Sequence, residues 1–323
     1  MRKNILLLVL ALCTVFTVNA QNKVDNLFFE ARGGFMNTIN GDDYAGHFTG
    51  DFFNLQMFGH ITDNVSYRVR QRLNKNPFVA DNIFNATDFL YFSWQIDNNW
   101  SLDFGKQEIY IGGFEYDYAP IDVYYWSDFC NNIPQSYAFG LTAGYEFDVN
   151  NSHEKIMFQV ANSPFSQGDL DKHLSYNLIW FGEFAYWWKT IWSVNYVNAT
   201  NNIDKQYLAL GNRFELDNMY LELDYTLSST DYVGSICGKF NYNYNDKFNF
   251  FLKGGYDENS YISVLTQTEF EDTYTYFGGG VEYFPLDNKD LRLHAAYYHD
   301  DRNEDAHRIA LGATWKLNVI NNR

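Results

Sequence analysis

Apolar and polar residues alternate with a period of two along most of this chain. Met219, Leu221, Leu223 and Tyr225 fall on one face of their segment, and Glu222 and Asp224 on the other. Leu291, Leu293, Ala295 and Tyr297 oppose Arg292, His294 and Tyr298. Ile309, Leu311, Ala313 and Trp315 oppose Arg308, Thr314 and Lys316. A period of two is that of a β-strand with two unlike faces. The pattern predicts sixteen strands, at 25–37, 47–59, 64–73, 86–97, 100–108, 136–148, 154–162, 174–187, 189–198, 204–216, 219–228, 233–244, 247–257, 273–284, 290–299 and 306–318. The cramped turn at Trp187-Trp188-Lys189 is the weakest break, so fourteen and eighteen strands also fit the pattern.

The breaks between strands are of two kinds. Asp/Asn pairs mark tight turns at Asp63-Asn64, Asp97-Asn98-Asn99, Asp217-Asn218, Asn245-Asp246 and Asp287-Asn288. These side chains cap their own backbone and tolerate left-handed conformations. Longer stretches fall at 38–46, 74–85, 109–135, 163–173, 199–203, 229–232, 258–272 and 300–305. Short turns on one side and long loops on the other predict a transmembrane antiparallel β-barrel. An even strand count puts both termini and the short turns in the periplasm, with the long loops outside.

Composition fits that reading. The chain is hydrophilic on average, yet 20% of it is aromatic. A barrel that is wet inside, apolar outside and aromatic at both rims needs this mixture. Arg2 and Lys3, the apolar run from Ile5 to Phe16, and Val18-Asn19-Ala20 read as a signal peptide cleaved after Ala20. The expected domains are therefore residues 1–20, signal peptide, and 21–323, outer-membrane barrel. Leu12 before Cys13 is too large for a lipidation site. The formal charge is −17, and cleavage removes Arg2 and Lys3 but no acid, lowering it by two units. Such a chain is a poor partner for nucleic acid. Cys130 and Cys237 survive cleavage, and nothing in the sequence brings them together.

The longest connection, 109–135, holds Glu115, Asp117, Asp122 and Asp128 among aromatic residues. A loop this long and aromatic is expected to have a role, and docking inside the barrel is the economical one. In the third strand Val65, Tyr67 and Val69 face one way and Arg68, Arg70 and Arg72 the other. Arginine on a lipid face costs about 2–4 kcal/mol near the midplane, so the row points inward. The expected pore constriction is Arg68, Arg70 and Arg72 facing Glu115, Asp117 and Asp122, which would set a transverse field across the lumen. The alternative is that the arginines pair with neighbouring strands and serve the barrel alone.

Leu102-Asp103-Phe104-Gly105-Lys106-Gln107, followed by Gly112-Gly113-Phe114-Glu115 and Ala119-Pro120-Ile121-Asp122, resembles the phosphate-selective porin O and P family of Gram-negative bacteria. The Asn- and Tyr-rich style is similar to Bacteroidetes members. The resemblance implies an outer-membrane porin, an inward loop and homotrimer formation. It also implies that Arg68, Arg70 and Arg72 stand for part of a lumen arginine ladder. The loop departs from the phosphate-selective pattern, with no Lys or Arg between 109 and 135, and its acids argue against anion selectivity.

The expected function is passive diffusion of small hydrophilic solutes or ions, without cofactor or metal. The expected surroundings are the lipid bilayer and lipopolysaccharide of the outer membrane. A barrel enzyme of lipase or protease type needs a nucleophile and base together. The scattered histidines and the lack of a Gly-x-Ser-x-Gly elbow speak against it. His299-Asp300-Asp301 reads as an ordinary loop rather than a metal site. A receptor or adhesin remains the third class, though larger loops would suit it.

Overall fold

The computed structural model describes residues 24–75, 83–131, 133, 136–149, 152–165, 173–198, 204–229, 234–262, 269–301 and 306–322. The predicted signal peptide and Cys13 lie outside the described residues, as do parts of the connections at 74–85, 109–135, 163–173, 199–203, 229–232, 258–272 and 300–305.

Among the described residues the chain forms sixteen strands: β1 (Asn26–Asn40), β2 (Asp43–Thr62), β3 (Val65–Arg72), β4 (Thr87–Gln95), β5 (Trp100–Glu108), β6 (Tyr137–Val149), β7 (Ser152–Asn162), β8 (Leu174–Ala185), β9 (Trp188–Val197), β10 (Lys205–Leu216), β11 (Met219–Ser228), β12 (Gly234–Asn245), β13 (Phe248–Ile262), β14 (Glu269–Tyr283), β15 (Leu291–Asp300) and β16 (Ala306–Asn321). Each pairs antiparallel with its neighbours in sequence, and β1 pairs with β16 from Asn26↔Asn321 to Ile39↔His307, closing the barrel. Closure leaves no sheet edge, so backbone N–H and C=O groups are satisfied without water. No helix among the described residues is long and apolar enough to cross a membrane, which is no obstacle to a chain that crosses with strands.

The two faces separate as the alternation requires. On β11, Leu223 is 41% exposed and Glu222 3%. Leu293, Leu311 and Trp315 are likewise exposed on the outer face, while His294 and Tyr298 are buried inside. The outer apolar side chains are those a bilayer would cover.

The tight turns owe their shape to Asp and Asn. Leu216 pairs with Met219 across a two-residue turn, and Asp217 takes φ 47° there, as such hairpins demand. Asp97 receives the backbone N–H groups of Asn99 and Trp100, each at 2.8 Å. These bonds hold its carboxyl below the ordinary range. Asn245 receives Lys247 and Phe248 in the same way.

Three boundaries differ from expectation. No loop spans 38–46. Asn40 pairs directly with Asp43, and Gly41, at φ +56°, makes the tight turn. The hairpin therefore extends beyond β3, whose pairing with β2 stops at Asn54↔Arg72. β13 and β14 pair as far as Ile262↔Glu269, which shortens the predicted 258–272 connection. The turn near Trp187 falls at 186–187, between Ala185 and Trp188.

Candidate functional site

Segment 109–131 leaves β5 and lies against inward-facing side chains around much of the barrel. It begins with Ile109 and Ile111, packed among Phe129, Ile133, Ala138 and Val197. Asn195 on β9 donates to Tyr110 O at 2.6 Å, and Gly112 N donates to Ser193 Oγ at 3.0 Å. Gly113 permits this approach, because a Cβ there would collide with the Asp224 carboxylate and lie 3.0 Å from Gly211 Cα.

Two short helices follow, α1 (Phe114–Asp117) and α2 (Asp128–Asn131). The first N–H groups of a helix have no internal acceptor, and here the wall supplies one. Phe114 N and Glu115 N donate to the two oxygens of Asp224 on β11 at 3.0 and 2.6 Å. Asp128 N donates to Asp257 on β13 at 2.8 Å. Lys253 on β13 donates to Glu115 Oε1 at 2.6 Å and to Tyr125 O at 2.5 Å. Burial pushes the Glu115 carboxyl up, but Lys253 and donors from Ser127 outweigh it, leaving the carboxyl below its ordinary range.

The tip of the segment, around a 3-10 turn at Pro120–Asp122, is held by two arginines. Arg32 on β1 donates to Ile121 O at 2.9 Å and Val123 O at 2.7 Å. Arg292 on β15 reaches Ile121 O at 3.2 Å and Asp122 Oδ1 at 2.9 Å. Tyr118 donates to Glu222, which also pairs with Arg213. Tyr124 donates to Glu282 and stacks on Phe251, and Tyr125 stacks on Tyr298. The segment is thus a strap tied to β9, β11, β13, β15 and β1.

Arg68, Arg70 and Arg72 lie on the inward face of β3, but the carboxylate they meet is on the next strand. Arg70 Nε and Arg72 Nε both donate to Asp88 Oδ2 on β4, at 3.0 and 2.6 Å. Arg68 lies over the rings of Phe58 and Phe89. Glu115 and Asp122 pair instead with Lys253 and Arg292, and the exposed Asp117 is within electrostatic range of Arg213 and Glu222. Glu108, at the end of β5, interacts with both predicted sets, with Asp117 and with Arg70 and Arg68.

Asp88 has more cations around it than the arginine row alone. Lys106 on β5 and Lys75 beyond β3 both interact with Asp88 and with Arg72. Lys106 donates its hydrogen bond to Phe84 O at 2.7 Å. Among the described residues, Arg68, Arg70, Arg72, Lys75 and Lys106 therefore share Asp88 and Glu108, which leaves positive charge in excess in this described set near the loop ends of β3 to β5.

Sequence reasoning missed Asp88, Glu108, Arg32, Arg213, Lys253, Asp257 and the anchoring roles of Asp224 and Arg292. Alternation does put Asp224 and Arg292 on the inner face, but it carries no signal for contacts across the barrel. Cys130 and Cys237 are unbonded, the first half-buried in α2 and the second buried on β12. His299 and Asp300 are strand residues rather than loop. They point to opposite faces of β15: His299 packs on Phe277 and His307, and Asp300 pairs with Arg308.

Residues 52–186 match the family described as phosphate-selective porin O and P, which supports the kinship implied by the sequence. No curated protein matches. Solved structures share the fold at low identity. Salmonella typhi OmpF, in complex with daunomycin, is 15% identical with a TM-score of 0.63, over 92% of this chain and 98% of that one. An anion-selective porin from Comamonas acidovorans is 8% identical with a TM-score of 0.60, over 90% and 98%. A trimer form of OmpT from Vibrio cholerae is 12% identical with a TM-score of 0.56, over 90% and 98%. Family match and barrel together make the chain an outer-membrane channel.

Proposed function

We propose that this outer-membrane channel, kin to the phosphate-selective porins O and P, passes small hydrophilic solutes and ions passively, with a mild preference for anions. The strap of residues 109–131 narrows the lumen. The turn end faces the periplasm, and residues 1–20 address the chain to the envelope and are then removed.

The observation that carries the anion preference is the local charge balance. The strap's Glu115 and Asp122 are matched by Lys253 and Arg292, so little of their field reaches a passing ion. Around Asp88 and Glu108 the cations outnumber the carboxylates among the described residues. In a narrow lumen, unmatched charge biases ion passage more than the net charge of the whole chain does. The constriction therefore consists of the strap edge at Asp117 and Asp122 on one side and Arg68, Glu108 and the Asp88 cluster on the other. Arg70 and Arg72 contribute mainly through Asp88.

No chemistry is assigned to the barrel. His60, His153 and His307 meet Asp25, Glu146 with Asp148, and Tyr297, not a nucleophile. Assembly as a homotrimer is supported by the trimer form of the Vibrio OmpT barrel.

Reversal potentials across a planar bilayer in a potassium chloride gradient test the reading. The native channel should reverse on the anion side, and the Lys75→Gln/Lys106→Gln double variant should move towards cations. A cation-selective native channel, or a double variant with an unmoved reversal potential, would remove the cluster from the path of ions.

A further inference from the structure

On the turn-end side of the strap lies a recess of about 240 Å³, enclosed by the strap and the inward faces of β11 to β15. We propose that this recess is a binding subsite for one sugar ring or a neutral polyhydroxylated group of that size. The proposal rests on the channel reading above, because the recess opens within the lumen.

The charges lining the recess favour a neutral ligand. Its carboxylates already have donors: Glu115 has Lys253, Glu222 has Arg213, Glu282 has Arg292, and Asp224 has two backbone N–H groups. An ionised carboxylate offers about four acceptor sites, so each can still take a hydroxyl without giving up its partner. A cation or anion that displaced one of these buried pairs would leave a charge unmatched, which is strongly unfavourable. An anion would also meet more carboxylates than cations on the lining.

Lys239 supplies the unmet donor. Its ammonium lines the recess, lies 3.8 Å from the centre of the Tyr118 ring, and has no hydrogen-bond acceptor among the described residues. Three N–H donors in a half-buried ammonium call for oxygen atoms, and a neutral hydroxyl provides one. The same ammonium repels a cationic solute.

The remaining walls suit a ring with apolar faces and polar edges. Tyr118, Tyr220 and Tyr298 line the recess, and tyrosine presents an apolar body with a polar tip. Asn241 lies beside them, donating to Asn249 at 2.7 Å. A recess of about 240 Å³ has room for one sugar ring.

Equilibrium binding of D-glucose to the folded barrel in detergent micelles, read by titration calorimetry, tests the proposal, with D-glucose 6-phosphate as the charged comparator. Glucose should bind saturably and more tightly than its phosphate. Lys239→Met should weaken glucose binding by about tenfold or more, the loss of one charge-assisted hydrogen bond, and Lys239→Arg should restore most of it. Tyr220→Leu, checked for folding by the same heat-modified gel mobility as the native barrel, should weaken it independently. Absence of saturable glucose binding, tighter binding of the phosphate, or unchanged affinity in both Lys239→Met and Tyr220→Leu would overturn the subsite. Bilayer conductance of the same preparation separates the two readings. A conducting barrel without glucose affinity counts against the recess alone. Glucose binding by a barrel that does not conduct upholds the recess and removes the conduit.

Discussion

Lys253 and Glu115 form a buried ion pair at 2.6 Å, with side chains only 6% and 8% exposed, between the wall of the barrel and the strap inside it. The same ammonium meets Tyr125 O, so a single wall residue ties both limbs of the strap.

That pair gives the channel a pH dependence with a definite sign. The Glu115 carboxyl lies below its ordinary value of 4.5 when folded. Its contribution is therefore complete above that value and is lost as pH falls through the depressed one. Single-channel currents should be steady at neutral pH and become noisy only in acid below the ordinary carboxylate range, where Glu115 takes up its proton. Glu115→Gln should bring that noise to neutral pH. Quiet currents from Glu115→Gln at both extremes would show that the pair does not hold the strap.

Asp88 is shared by Arg70 and Arg72, which makes the three positions unequal. Removing one partner of a buried pair costs about 3–5 kcal/mol because it strands a charge. Asp88→Ala takes the bonded carboxylate from two arginines at once, whereas Arg70→Ala leaves Asp88 paired with Arg72. Urea unfolding of the refolded barrel, followed by tryptophan emission, should rank Asp88→Ala as the less stable of the two. The reverse order would mean that the aromatic rings under Arg70 matter more than its carboxylate.

The two faces of β11 can be told apart in lipid. Leu223 lies on the outer face in mid-strand, 41% exposed. Leu223→Arg should lower stability in phospholipid vesicles by about 2–4 kcal/mol, the cost of arginine near the bilayer midplane. In detergent, where the head group reaches water easily, the loss should be smaller. Equal stability in vesicles would place Leu223 away from hydrocarbon.

The sixteen strands were legible because a strand's side-chain period is two and a barrel has one wet and one apolar face. β5 and β11 fall on their predicted residues, Trp100–Glu108 and Met219–Ser228. The turns were legible because Asp and Asn satisfy their own backbone, as Asp97 and Asn245 do. Alternation was a poor guide where a hairpin rises past its neighbours. Tyr44 and Phe48 are exposed there, and no buried face marks the strand.

Of the predicted constriction, the sequence determined that Arg68, Arg70 and Arg72 point inward and that the strap is acidic. Both follow from local chemistry, since charge avoids a lipid face and composition is read directly. Only the tertiary structure decided which charges meet. Asp88, Lys253 and Arg292 lie 16–18, 138 and 170 residues from the groups they neutralise. Pairing of β3 with β4 sets Asp88 beside the arginines and barrel closure brings the two more distant pairs together; the period of two says which face a side chain occupies but not which partner it meets there.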